Sequence, residues 1–203
     1  MTVSRISNHV KVGYIRRDFQ KRLPLKNKMS KPSEISITTL SCSGVDMAKA
    51  LAKFENDSKH SLEMGKFKVD GKSIKLVLKG ELTTNGIAEN KWSNASGKST
   101  ITHSLGLQLS EEDLSFFEEV ANTLATFIGD NYELTSLVKN DVIYLKTKEK
   151  KVFNTMSNVK ADKLFHGQKV EIVVEFKFYI NLKDEKAGIV LHPVKYTFMA
   201  EED

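Results

Sequence analysis

The sequence predicts an α+β fold, with a barrel or a curved antiparallel β-sheet, one main packed helix and a short N-terminal helix. Three observations lead there. Apolar and polar residues alternate over several long stretches, as half-buried strands require. One stretch, Glu111 to Ile128, instead repeats its apolar residues at spacings of three and four. Finally, 203 residues that are 40% hydrophobic suffice for one buried core.

The chain opens on a basic arm. Residues 1–31 hold Arg5, Lys11, Arg16, Arg17, Lys21, Arg22, Lys26, Lys28 and Lys31 against Asp18 as the single acid. The whole chain carries 31 Lys+Arg and 26 Asp+Glu, a net charge of +5, so the positive excess belongs to this arm. Such arms bind nucleic acid by releasing its counterions. A solvated leader and an organelle-targeting sequence are the other two readings, although weak helical amphipathicity counts against targeting. Met29, which starts MSKPSEIS, also reads as a second translation start. Pro24 and Pro32 mark a linker over 24–36. The expected division is a flexible arm over 1–34, a single domain over 35–200 and a short acidic tail over 201–203.

The elements follow in order. Val45, Met47, Ala48, Leu51, Ala52 and Phe54 give a short helix within Gly44 to Phe54. From Lys66 the period becomes two. Ile74, Leu76 and Leu78 share one side of a strand, and Lys75, Val77 and Lys79 share the other. Asp70-Gly71 is a turn pair that joins this strand to Lys66–Val69 as a hairpin. Residues 84–99, with Asn85-Gly86, Asn90, Asn94 and Gly97, read as a polar loop carrying Lys91, Trp92 and Lys98. A strand over Thr100 to Leu109 puts Ile101, His103, Leu105, Leu107 and Leu109 on one face.

The helix from Glu111 to Ile128 has Ser110 as its N-cap, acids in its first turn and Gly129 as its C-cap. Its expected seam is Leu114, Phe117, Ala121, Leu124 and Ile128. Then come a strand near Val142–Thr147, a basic turn with Lys146, Lys148, Lys150 and Lys151, and an extended piece near Val152–Met156. A long hairpin closes the chain: Val170–Asn181, a turn over Leu182–Gly188, and Ile189–Phe198. In its first arm Val170, Ile172, Val174, Phe176, Phe178 and Ile180 form a complete core face. Glu171, Val173, Glu175, Lys177, Tyr179 and Asn181 form the open one.

Catalytic and metal chemistry find no foothold. Gly97-Lys98-Ser99-Thr100 resembles the end of a phosphate-binding loop, but Trp92 stands where its first glycine belongs and a strand, not a helix, follows. Cys42 is the only cysteine. The five histidines form no HxH or HExxH pair, and His103 and His192 read as core or sheet-margin residues. No dinucleotide fingerprint and no GxSxG elbow occur. The expectation is a binding protein, not an enzyme, with no cofactor and no metal. No apolar run approaches the roughly 20 residues of a membrane helix, and no apolar leader is visible. A soluble, intracellular protein without a membrane partner is therefore expected.

Single-strand binding needs aromatic platforms for bases and cations for phosphates. Lys177 and Tyr179 share an open face side by side. Lys75 and Lys79 decorate the open side of an earlier strand, and Tyr144 and Lys146 share a face of another. Lys91, Trp92 and Lys98 lie where a loop would close over a groove. The lysines are the expected phosphate contacts, with Tyr179 and Trp92 stacking on bases. Glu171 and Glu175 oppose binding along the first half of the hairpin arm, which confines the surface to the Lys177–Asn181 end.

The order of elements resembles the viral and phage single-stranded-DNA-binding proteins built on an elaborated OB barrel. The strands Ser73–Leu82 and Thr100–Leu109, the helix Glu111–Ile128 and the closing hairpin with Gly188-Ile189-Val190-Leu191 carry the resemblance, over about residues 66–200. It implies an OB-like barrel and sequence-independent binding of single-stranded DNA or RNA in replication, repair or packaging, at the nucleus or a viral replication site. The terminal Glu201-Glu202-Asp203 is similar to the acidic tails of that group but lacks the terminal aromatic of some phage members. The alternative is a structural or assembly protein, viral or cellular, whose open sheet face meets another protein chain. Homo-oligomerisation is compatible with either reading.

Overall fold

A computed structural model describes residues 28–83, 87–93, 99–147 and 166–198. Eleven strands and two α-helices follow one another as β1 (Lys28–Ser30), β2 (Leu40–Ser43), α1 (Met47–Asn56), β3 (Leu62–Val69), β4 (Lys72–Leu82), β5 (Ala88–Ser93), β6 (Ser99–Gln108), α2 (Glu111–Ile128), β7 (Glu133–Thr135), β8 (Val138–Lys139), β9 (Val142–Thr147), β10 (Lys169–Asn181) and β11 (Lys186–Phe198). The class is α+β. Among the described residues no helix is long and apolar enough to cross a membrane.

All strands join one sheet, in the order β7-β11-β10-β3-β4-β6-β9-β8, with β1 beside β4, β2 beside β3 and β5 beside β6. The sheet is mixed, because β1 runs parallel to β4 and β7 parallel to β11. It is not closed into a barrel. It is nevertheless strongly curled. Counting through the β10–β4 pairing, β9 is four strand spacings from β11, or about 19 Å in a flat sheet at about 4.8 Å each. Instead β9 comes alongside β11, without backbone pairing.

The core lies within the curl. On β10, Ile172, Val174, Phe176, Phe178 and Ile180 are fully buried or nearly so. Each such side chain contributes roughly 1.5–3 kcal/mol when removed from water. Phe67 stacks on Phe176 with ring centres 4.3 Å apart, and α2 adds Phe117 and Phe127 against Phe176 and Phe178. The helix has the expected ends. Ser110 Oγ accepts from the Asp113 N–H at 3.2 Å, and Gly129 caps the C-terminus at φ +81°. Its buried seam is broader than expected and includes Phe116 and Val120, with Leu114 and Ala121 at the margin.

Several boundaries differ from the sequence reading. Among the described residues the sheet includes Lys28–Ser30, and Ser30 and Pro32 are buried, within the stretch read from the sequence as arm and linker. The first helix starts at Met47 because the Asp46 side chain accepts from the Lys49 N–H. Residues 148–165 and 199–203, which include the extended piece near Val152–Met156 and the acidic tail, lie outside the described residues, as do residues 1–27.

Asp70-Gly71 turns the β3–β4 hairpin with φ of 50° and 72°, as a tight primed turn requires. Pairing within that hairpin is short, limited to Lys68↔Ser73 and Val69↔Lys72. Beyond it, β10 takes both strands in succession: residues 169–175 pair with β4 and residues 177–181 pair with β3. The hairpin therefore stands out from the edge of β10 on a narrow neck. On its other edge β10 pairs with β11 throughout, with a bulge where Val173 faces Lys195 and Val174 faces Pro193. Pro193 has no N–H to give the ladder, and the bulge accommodates it.

Candidate nucleic-acid interface

Residues directly opposite one another in neighbouring strands point to the same side of a sheet. Following that rule from the core outward fixes the outer face. Glu171, Glu175, Lys177 and Tyr179 of β10 lie opposite Lys79, Lys75, Lys66 and Met64. The same face runs through Glu81↔Gln108 to β6, and through Gly106↔Tyr144 and Ser104↔Lys146 to β9. Six of the candidates, Lys75, Lys79, Tyr144, Lys146, Lys177 and Tyr179, thus share one continuous surface.

Register adds lysines that the sequence did not single out. On the outer face stand Lys66, Lys68, Lys75, Lys79, Lys139, Lys146, Lys169, Lys177, Lys186 and Lys195, against Glu81, Glu133, Glu171 and Glu175. Three of these glutamates are held by lysines of the same face: Glu171 by Lys79 at 3.8 Å, Glu133 by Lys186 at 3.4 Å and Glu175 by Lys177 at 2.5 Å. Most of the lysines keep no carboxylate of their own among the described residues. Composition does not explain this. Removing the nine bases and one acid of residues 1–31 leaves 22 bases and 25 acids. On the other side, α2 carries Glu111, Glu112, Asp113, Glu118 and Glu119 and no base, and it packs on the inner side of the sheet. Among the described residues, the outer face of the sheet is therefore predominantly basic and α2 is acidic.

Electrostatic detail centres on Glu175. A hydrogen bond from Lys177 holds its carboxyl below the usual carboxylate range, with Lys75 and His192 adding to the effect. His192 lies directly opposite Glu175. Burial, together with the Lys177 charge, keeps its imidazole below the usual histidine range.

Tyr179 is not a free platform. It lies opposite Gly188, where an added Cβ would meet its ring at 2.8 Å, and its hydroxyl donates to Thr135 Oγ1 at 2.9 Å. The ring lies across the sheet and leaves only its outer side for a ligand. Tyr144 lies opposite Gly106 in the β6–β9 pair and is 39% exposed.

The expected loop over 84–99 is in part a strand. Lys91 and Trp92 belong to β5, which pairs with β6 from Ala88↔Ser104 to Ser93↔Ser99. Its polar residues, which suggested a loop, are satisfied across the pair: Asn90 Nδ2 donates to Ser104 Oγ at 2.9 Å, and the Ser93 and Ser99 hydroxyls lie 3.1 Å apart. Beyond His103, β6 pairs with β5 alone, so the two form a ribbon projecting past β9. Lys91 shares its side with Ile101 and Glu89, the face opposite the lysine surface. The Trp92 side chain and all of Lys98 lie outside the described residues.

His103 is a sheet-margin residue, 8% exposed, with Nε2 at 3.6 Å from Glu89 Oε2. Among the described residues no three or more His, Cys, Asp or Glu side chains are grouped as a metal site. No family model matches the chain, and neither a curated protein nor a solved structure matches it.

Proposed function

We propose that the chain binds single-stranded nucleic acid without sequence preference, in replication, repair or packaging, on the outer face of the sheet. One observation carries this reading. Strand register gathers lysines on one surface of a chain whose acids outnumber its bases beyond the arm, while α2 carries five acids and no base. A surface with a net positive excess attracts a polyanion and speeds its arrival. Tyr144 and the outer side of Tyr179 supply aromatic surface within the lysine field. The approach of β9 to β11 supports a partly open OB-like barrel as the underlying architecture.

Anisotropy titrations of labelled oligo-dT and of duplex, at about 50 and 200 mM salt, test the proposal. The expected result is preference for the single strand and a log–log salt slope of about −0.7 per phosphate engaged. Replacing Lys79 and Lys146 together by Gln should make that slope shallower. Absence of oligo-dT binding at low salt would sink the reading.

A second reading, protein assembly through the same face, is favoured by Leu62 and Met64. They are 59% and 44% exposed, and they lie beside Asn181 and Tyr179. Self-association that persists at high salt and is lost in Met64→Lys would favour it.

A further inference from the structure

The neck of the β3–β4 hairpin brings together residues that are remote in sequence. Between the pairs Glu175↔Lys75 and Lys177↔Lys66, residues 67–74 leave the edge of β10 and return. Lys66 and Lys75 thereby flank one opening with Lys177, over a bed formed by Phe67 and Phe176. Lys66 and Lys177 lie directly opposite each other, a like-charge cross-strand pair that costs stability. Glu175 lines the same opening, and its carboxylate is held at 2.5 Å by Lys177. The apolar bed limits water beneath the charges, which strengthens their pull on an anion.

We infer that this neck is a subsite for one phosphate group, and that the Glu175 carboxylate occupies the anion's place until a phosphate displaces it. The inference rests on the nucleic-acid reading for its natural ligand, but the chemistry requires only a phosphate. A backbone phosphate offers two non-bridging oxygens, each able to accept more than one hydrogen bond from the three ammonium groups, whereas the carboxylate of Glu175 engages Lys177 alone within ion-pair distance. Displacement swings Glu175 toward Lys75 and His192, which stand on either side of it in register. Glu175 then acts as an internal competitor that sets a threshold for weak anions.

The test uses the full chain and its variants Glu175→Gln, Lys66→Gln and Glu81→Gln. Glu81 is a carboxylate of the same face, away from the neck. Labelled oligo-dT is followed by anisotropy, and inorganic pyrophosphate by the amide NMR signals of Phe176 and Lys177. Glu175→Gln should tighten oligo-dT binding about two- to fivefold, on the scale of exposed charge pairs, and Glu81→Gln by clearly less. Lys66→Gln should weaken binding without loss of stability, because it relieves the like-charge pair. Pyrophosphate should move the neck amides, at lower concentration in Glu175→Gln. Equal effects of Glu175→Gln and Glu81→Gln, or neck amides unmoved by pyrophosphate in both wild type and Glu175→Gln, overturn the subsite even where oligo-dT binds. Pyrophosphate at the neck with no oligo-dT binding supports the subsite and overturns the nucleic-acid reading.

Discussion

Phe178 lies directly across from Gly65, and its ring fills the space that a side chain at position 65 would need. The arrangement locks β3 onto β10 at the point where β10 changes partners. Gly65→Ala forces the ring aside and should cost about 1–3 kcal/mol, the usual range for overpacking. Phe178→Ala should cost about 3–5 kcal/mol. Combined, the two should cost less than their sum, since the smaller residue at 178 makes room for the methyl at 65. Urea unfolding of the four proteins checks this, and strict additivity would show that the ring and the glycine are not coupled.

Tyr179 separates structure from binding in one residue. Tyr179→Phe loses the hydrogen bond to Thr135 and should cost about 1 kcal/mol of stability while leaving oligo-dT affinity nearly unchanged. Tyr179→Ala also removes the ring and should weaken binding by about 1–3 kcal/mol if a base stacks on its outer side. An unchanged affinity in Tyr179→Ala would remove this residue from the interface.

Acid should weaken the fold in two steps of the same sign. His192 is held below its ordinary range by burial and by Lys177. As pH falls through about 6.5, the unfolded chain takes up a proton that the native state resists, so stability drops. The loss levels off below the native value. Glu175 is depressed in the fold, so its contribution is complete above the ordinary glutamate value of 4.5 and disappears as pH falls through the native one. Urea midpoints at about pH 7.5 and 5.5 isolate the first step. The midpoint should fall with pH in the wild type and fall less in His192→Asn, and identical pH profiles would refute the assignment.

Cys42 lies opposite Phe67 in the β2–β3 pair, and burial pushes its thiol up to about 12. The thiolate is the reactive form. Alkylation by iodoacetamide near neutral pH should therefore be roughly a hundredfold or more slower in the native protein than in denaturant. Comparable rates in the two states would mean that β2 opens readily from the sheet.

Local pattern made much of this fold legible. The alternation from Val170 to Asn181 announced a buried face and an open one, and Ser110 and Gly129 marked the ends of α2. Asp70-Gly71 announced its turn because only a few residue types accept positive φ twice in succession. What stayed hidden depends on pairing between distant segments. Asn90 and Ser93 read as loop because their partners, Ser104 and Ser99, are identified only by register. In the sequence Lys66 is one lysine among many, and it acquires meaning only at the neck, beside Lys75 and Lys177. Tyr179 was expected to stand free because nothing local reveals that Gly188 and Thr135 lie beside it. Of the two expected forms, barrel or curved sheet, the curved sheet is the one observed, since closure depends on whether β9 and β11 exchange backbone hydrogen bonds.

The opposition of α2 to the lysine surface has a consequence for how such a chain would coat a polymer. Molecules attached through the sheet turn Glu111, Glu112, Glu118 and Glu119 outward. A coated strand keeps a negative exterior, so further copies gain little by piling onto those already bound. Coverage would then stop at a single layer, limited by the length of strand and not by the supply of protein.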